Sequence, residues 1–381
     1  MQRTHWIMIM RATAALFERS LVSLSRYPKV KLAKIELDEP QAYEVLVKIS
    51  SCGICGTDHE VLNGDLPTGK PCVLGHEGAG IIEAIGSKVS QFKVGDRVII
   101  SFPSCGKCRN CLRDQPRYCE LAGPLSFGFQ RLDGSHAIRK ANGDKLYGNF
   151  FQQSSWSTHA ITLERNLIKV PDSIDLDLMG PLGCSITTGA GAVLNELQPQ
   201  AGSSIAIFGG GSTGLAAVMA AVVRECETII VVDPNSNRLK LAKKLGATHV
   251  FKSEKEAIAA KIRLLTKNRL DYSLDCTLGG KMVPAAMESL GILGVCGMVG
   301  GGSPLQTFKL DHADTLNGKR LIGIVGGGGK TPDTHQHIMQ LHEQGKFPLE
   351  KLVKFYPFKK INDAIRDSFS GKVVKPILKM T

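Results

Sequence analysis

The stretch that most limits what this chain can fold into runs from Ser203 to Asp233. A short apolar run, Ser203–Phe208, meets Gly209-Gly210-Gly211-Ser212-Thr213-Gly214. A helical apolar pattern follows over Leu215–Val223, and a second β-branched run, Thr228–Val232, ends on Asp233. Strand, glycine turn, helix and strand make a βαβ unit, in which the helix crosses over between parallel strands. Gly209 permits the tight turn, Gly211 lets a pyrophosphate approach the backbone, and Gly214 lets the helix pack closely on the strand. The phosphates would sit on the helix N-terminus, where free N–H groups and the helix dipole favour an anion. Asp233, 19 residues after Gly214, is placed to bind both ribose hydroxyls of NAD and to repel the 2′-phosphate of NADP.

The same alternation of apolar strands and helices continues over 186–325, so a parallel sheet is expected there. Residues 27–102 are different. Short Val/Ile-rich runs (EVLVKIS, GAGIIEAIG, DRVIIS) are broken by Gly and Pro, the pattern of an antiparallel β region with tight turns. Residues 120–160 are glycine-rich and irregular. The last residues, 326–381, return to mixed structure and end in a short strand, KPILKM. Three parts follow: 1–185 mostly β, 186–325 dinucleotide-binding, and 326–381 returning to the first. Gly326–Gly329 followed by Lys330-Thr331 resembles the end of a phosphate-binding loop, but Ile324 stands where that pattern needs glycine. It reads as a hinge between domains. His335, His337 and His342 lack the spacing of metal ligands on one helix face and read as part of a solvated helix.

A net charge of +12 with no dense basic run interleaved with aromatics leaves nucleic-acid binding as a minor alternative. No apolar run approaches the roughly 20 residues of a membrane helix. Met1 to Arg26 carries Arg3, Arg11, Arg19 and Arg26 against Glu18, which resembles a weak transit peptide. An extension leading into a first strand near Arg11–Leu16, in a cytoplasmic protein, is the favoured reading.

Two cysteine patterns carry metal chemistry. Cys105, Cys108, Cys111 and Cys119, in the lobe 104–120, have the spacing C-x2-C-x2-C-x7-C. Four thiolates fill a tetrahedral zinc shell, which makes a structural site. Two disulfides are the competing reading; the start of the chain reads as carrying no secretory signal, and the remaining cysteines show no framework spacing, so zinc is favoured. Cys55 (in CGICGTDHE), His76 (in LGHEGAG) and Cys184 (in PLGCSITTGAGA) are unremarkable singly. Together they supply the Cys, His, Cys set of a catalytic zinc with one open position.

With these motifs the chain resembles the zinc-dependent alcohol dehydrogenases of the medium-chain dehydrogenase/reductase superfamily from about residue 11 to the end. The segments FFQQSSWSTHAITLERNLIKVP, PLGCSITTGAGAVLN, QGKFPLEKLVKFYPF and SGKVVKPIL are most similar to the aryl (benzyl) alcohol dehydrogenase branch. The resemblance implies an α/β fold: a GroES-like, mostly-β catalytic domain plus a Rossmann dinucleotide-binding domain. It implies two zinc ions per chain, NAD as cofactor, and a homodimer or homotetramer. Glu77 would stand behind the catalytic metal as an exchangeable ligand, Asp58 would hold His76, and Thr57 would hydrogen-bond the alcohol oxygen and begin proton release. Arg238 and Lys375 would lie near the cofactor's ribose and phosphates, and Trp156 would form an aromatic wall of the substrate pocket. Where many relatives finish a proton relay with His, this chain has Glu60, with His59 one place earlier. Gly56 stands where relatives often carry a basic residue near the pyrophosphate. The implied reaction is hydride transfer between a primary aromatic or allylic alcohol/aldehyde pair and NAD. Polyols and S-hydroxymethylglutathione are alternative substrates, and a non-enzymatic zinc-ribbon nucleic-acid binder is the remote alternative.

Overall fold

The structure, a computed structural model, describes residues 10–18, 27–66, 68–253, 257–302, 306–329 and 331–380. The chain divides into two compact units, residues 1–184 with 353–381, and residues 185–352.

The first unit is built on a seven-stranded sheet. Its central strand, Glu44–Gly53, pairs antiparallel with Gly78–Ile85 along one side. On the other side it pairs with His159–Leu163 near its start and with Lys375–Lys379 near its end. Only Lys48 in this strand is exposed, so the apolar run is covered on both faces. The strands Arg97–Ile100 and Leu167–Lys169 extend one edge, and Val353–Pro357 extends the other. A smaller sheet orders Cys72–Val73, Met10–Phe17, Lys31–Leu37 and Ile138–Lys140. The strand expected near Arg11–Leu16 is Met10–Phe17. Most of the basic N-terminal segment lies outside the described residues. Val45, Val47, Ile82, Val98, Trp156 and Leu378 belong to one continuous core.

The second unit carries a six-stranded parallel sheet ordered His249–Lys252, Thr228–Asp233, Ser204–Phe208, Tyr272–Asp275, Val295–Met298 and Arg320–Gly323. This is the doubly wound order of a dinucleotide-binding domain, with the chain reversing direction across the sheet beside the first strand. The glycine turn is where it was expected. Gly209 has φ +100°, and a Cβ on Gly214 would lie 1.8 Å from the Gly209 carbonyl oxygen. The helix Ser212–Val223 is buried from Gly214 through Ala221, which explains its apolar character all round.

Two expectations need correction. The chain leaves the second unit at residue 353, not at 326. The helix Thr331–Glu343 buries Ile338, Met339 and Leu341, and Asn195 Nδ2 donates to the Gly327 carbonyl at 3.1 Å and to Thr334 Oγ1 at 3.0 Å. Gly326–Gly329, all with positive φ, therefore lie inside this unit and not at a domain boundary. That helix is also not solvated all round: His335 is fully buried, while His337 is exposed.

Candidate active site

In the four-cysteine lobe, the Sγ atoms of Cys105, Cys108, Cys111 and Cys119 lie within 4.8 Å of one another, and Cys105 and Cys111 are 3.9 Å apart. A disulfide would bring two sulfurs to about 2.05 Å. A tetrahedron with Zn–S of about 2.3 Å has sulfur–sulfur edges of about 3.8 Å. The geometry decides for zinc over disulfides. Backbone N–H groups of Cys108 and Leu121 donate to Cys105 and Cys119 Sγ at 3.3 and 3.4 Å, which favours thiolates.

The second set forms around a short helix. Cys55 is the N-cap of Gly56–Asn63, its sulfur accepting from the Asp58 N–H while the Asp58 carboxylate accepts from the Cys55 N–H at 2.9 Å. A thiolate at a helix N-terminus is favoured by the dipole. The fully buried Asp58 also accepts from the Gly75 N–H at 3.1 Å and meets His76 Nδ1 at 3.2 Å. It thus holds Cys55 and His76 together and fixes the tautomer of the ring. That leaves His76 Nε2 buried with no hydrogen-bond partner among the described residues. It lies within 4.8 Å of Cys55 and Cys184 Sγ, which are 3.9 Å apart. The orphaned nitrogen and a sulfur separation matching a tetrahedral edge fit a zinc ion held by three protein ligands. Hydrogen bonding from Cys184 holds the Cys55 thiol well below its ordinary range, with Cys184 correspondingly raised.

In the second unit, Asp233 lies at the end of its strand, buried, with its carboxylate accepting from the Gly210 and Asn235 N–H groups at 2.7 Å each. Arg238 Nη1 is 3.7 Å from that carboxylate. Nothing lies within 4 Å of a Cβ built on Gly211, so the backbone there is open to a close ligand. The acid, the arginine and the glycine turn are brought together in one place.

Comparison with known proteins supplies the family. Residues 41–172 match the alcohol dehydrogenase GroES-like domain, and residues 212–343 match the zinc-binding dehydrogenase domain. Geraniol dehydrogenase of Castellaniella defragrans is 38% identical over 347 residues, 90% of this chain and 92% of that protein. This chain belongs to the zinc-dependent alcohol dehydrogenases of the medium-chain dehydrogenase/reductase superfamily. Zinc and a nicotinamide dinucleotide are its cofactors. Two solved structures are similar throughout. Benzyl alcohol dehydrogenase from Acinetobacter calcoaceticus has a TM-score of 0.91 at 38% identity, covering 98% of this chain and all of that one. An alcohol dehydrogenase zinc-binding domain protein from Burkholderia ambifaria has a TM-score of 0.93 at 39% identity, with the same coverage.

Some residues of this alcohol dehydrogenase were named from the sequence without their partners, and others escaped it. Lys375, expected near the cofactor phosphates, has its ammonium buried 2.8 and 3.0 Å from the two Glu77 carboxylate oxygens and donates to the Ile54 carbonyl at 3.0 Å. Glu77 is thereby held by a cation behind the metal ligands. Trp156 is fully buried in the core, where a Cβ on Gly75 would strike its ring at 2.4 Å. The aromatic surface packed on His76 is instead Phe151, stacked at 4.6 Å, with Phe150 edge-on at 5.3 Å and Phe102 and Phe127 against Phe151. Gln153, buried beside them, donates to the His76 carbonyl and accepts from the Gly78 N–H, bracketing Glu77. The doubled aromatics and amides of FFQQ were the available signal. Thr57 is half-buried in the first turn of the helix after Cys55, and Glu60 is buried, its carboxyl pushed up to about 6 by desolvation.

Proposed function

We propose that this alcohol dehydrogenase oxidises primary benzylic or allylic alcohols to aldehydes with NAD, and catalyses the reverse reduction. The observation that carries the reading is the buried, unpartnered His76 Nε2 facing the two sulfurs of Cys55 and Cys184. Three ligands leave one position for the substrate oxygen, and zinc held there supplies the Lewis acidity that makes an alcohol proton acidic near neutral pH. The protein does the rest. Asp58 fixes the spacing of Cys55 and His76. The Thr57 hydroxyl takes the alcohol proton and passes it toward Glu60 or His59. Glu77, neutralised by Lys375, puts no free negative charge behind the metal.

The substrate preference is supported by the ring cluster around His76, which offers flat apolar contact to an aryl or allylic group. The names of two similar proteins, a geraniol and a benzyl alcohol dehydrogenase, point the same way. Preference for NAD is supported by Asp233, whose buried negative charge would face a 2′-phosphate. Assembly into a homodimer or homotetramer through the nucleotide-binding unit is supported by its edge strand Arg320–Gly323 and the exposed Ile292, Leu293 and Leu316 nearby in sequence. No helix among the described residues is long and apolar enough to cross a membrane, and we place the enzyme in the cytoplasm.

Initial rates over aromatic, allylic, aliphatic and polyol alcohols and S-hydroxymethylglutathione, each with NAD and NADP, test the reading. Highest kcat/KM for benzylic or allylic alcohols with NAD is expected. A polyol or the glutathione adduct in first place would overturn the substrate assignment.

A further inference from the structure

Arg117 belongs to the four-cysteine lobe, two residues before Cys119, yet it is only 3% exposed. Its Nη1 donates to Ser101 Oγ at 3.3 Å, and Ser101 Oγ donates to the Gly183 carbonyl at 3.3 Å. Gly183 is the residue before the ligand Cys184. The Gly183 backbone also presses on the end of the Arg97–Ile100 strand, since a Cβ there would lie 2.2 Å from the Ile100 carbonyl oxygen. Ser101 and the strand end thus both bear on the residue that precedes Cys184. On its other side, the Arg117 guanidinium carbon lies 4.7 Å from the centre of the Phe102 ring. Phe102 meets Phe151 at 5.8 Å, and Phe151 stacks on His76 at 4.6 Å. One side chain of the lobe therefore reaches two of the three catalytic ligands by separate routes.

The charge is also unusual. Among the described residues no carboxylate pairs with Arg117, and its Nε and Nη2 are buried without hydrogen-bond partners. A buried guanidinium is costly to keep when no acid opposes it, and a lobe brace could be built from an uncharged side chain.

We infer that Arg117 is a positioning residue that ties the four-cysteine lobe to the catalytic centre, setting Cys184 through Ser101 and Gly183 and His76 through Phe102 and Phe151. The inference rests on Cys55, His76 and Cys184 holding the catalytic zinc. It gives the closed zinc site a task beyond holding its own loop: the lobe's integrity governs how firmly the open site keeps its metal.

The test uses the two-zinc holoenzyme and does not depend on turnover. Zinc release to a chelator is followed with a zinc-sensitive dye, and the catalytic zinc is separately replaced by cobalt so that the sulfur-to-metal absorption bands report the ligand geometry. Arg117→Met and Ser101→Ala are expected to release the catalytic zinc on the order of tenfold faster than the native enzyme, with the lobe zinc retained and the cobalt bands shifted. Arg117→Lys, which keeps the charge and one donor, should recover most of the native rate and spectrum. Native release and native spectra in both Arg117→Met and Ser101→Ala would overturn the inference. So would loss of the lobe zinc or of folding in Arg117→Met while Ser101→Ala behaves as native, because Arg117 would then only brace its lobe. Cys184→Ser separates the underlying assignment: if it holds two zinc ions as tightly as the native enzyme, the catalytic zinc reading itself fails.

Discussion

Replacing Asp58 by Asn changes a single atom group at the point where two metal ligands are joined. The carboxylate accepts from three donors: the Cys55 N–H on one oxygen, and the Gly75 N–H and His76 Nδ1 on the other. An asparagine amide offers one acceptor and one donor end. In its better orientation the oxygen keeps Gly75 and His76, and the NH2 faces the Cys55 N–H; the opposite orientation loses two bonds. The minimum loss is therefore one charge-assisted bond plus a buried donor facing a donor, about 1–3 kcal/mol. At about 1.4 kcal/mol per tenfold, zinc affinity at the Cys55–His76–Cys184 site should fall by roughly 5- to 150-fold. The four-cysteine site, whose ligands make no hydrogen bond to Asp58 in the structure, should be untouched and serves as an internal standard. Competition of each variant against a chelator of known affinity, read as zinc retained per chain, gives the two affinities separately. Asp58→Asn that retains both ions with native affinity would refute the claim that this carboxylate organises the catalytic ligands.

Further outcomes follow from the same geometry. Asp233→Ser removes a negative charge and two acceptors from the strand end, and NADP should become usable as NAD selectivity falls by about 10- to 100-fold; unchanged selectivity in steady-state kinetics would remove Asp233 from the ribose role. Lys375→Met strands the buried Glu77 carboxylate and should cost about 3–5 kcal/mol in urea unfolding, while the double variant with Glu77→Gln should regain most of that stability. Gly214→Ala would force a Cβ to within 1.8 Å of the Gly209 carbonyl oxygen, so dinucleotide binding by calorimetry should be abolished. Burial raises the Glu60 carboxyl from 4.5 to about 6. A raised acid favours its protonated form in the folded state, so the stability it contributes is full below about pH 4.5 and declines as pH rises through about 6. Glu60→Gln should therefore gain about 1–2 kcal/mol over the native enzyme at pH 8 and little at pH 4.5, measured by denaturant melts at both.

What could be read from the sequence was local. The glycine turn, its flanking strands and Asp233 lie within one βαβ unit, and each residue type answers a backbone or charge requirement in place. The two ligand sets were legible as candidates because a metal accepts few residue types and restricts their spacing, and the structure gathers each set within 4.8 Å. The features that escaped depend on distant or conformational partners. Lys375 meets Glu77 across a separation of 298 residues, and nothing near either one announces the pairing. His335 is fully buried on a helix whose Thr334 hydroxyl accepts from Asn195, 139 residues away in sequence. Gly326–Gly329 resembled domain punctuation, yet the apolar residues Ile338, Met339 and Leu341 just beyond them commit that stretch to the second unit.

The rings beside His76 stand on a backbone of a particular kind. Asn149, Phe151, Gln152 and Ser154 all have φ between 51° and 58°, a region that costs a non-glycine residue of order 1 kcal/mol or more. No glycine relieves the segment. It is held by Ser154 Oγ, which accepts from the Phe150 N–H and donates to the Val73 carbonyl, and by Gln152, which donates to the Leu125 and Gln130 carbonyls. The ring segment beside His76 is thus held in a strained backbone whose latches are an amide next to Phe151 and a hydroxyl four residues after Phe150. On the reading proposed above, in which these rings meet the alcohol, substrate range can drift in two different ways. Exchanging a ring alters the volume offered to the alcohol, whereas weakening a latch releases the whole segment, moving both rings together and blurring the contour that tells one alcohol from another.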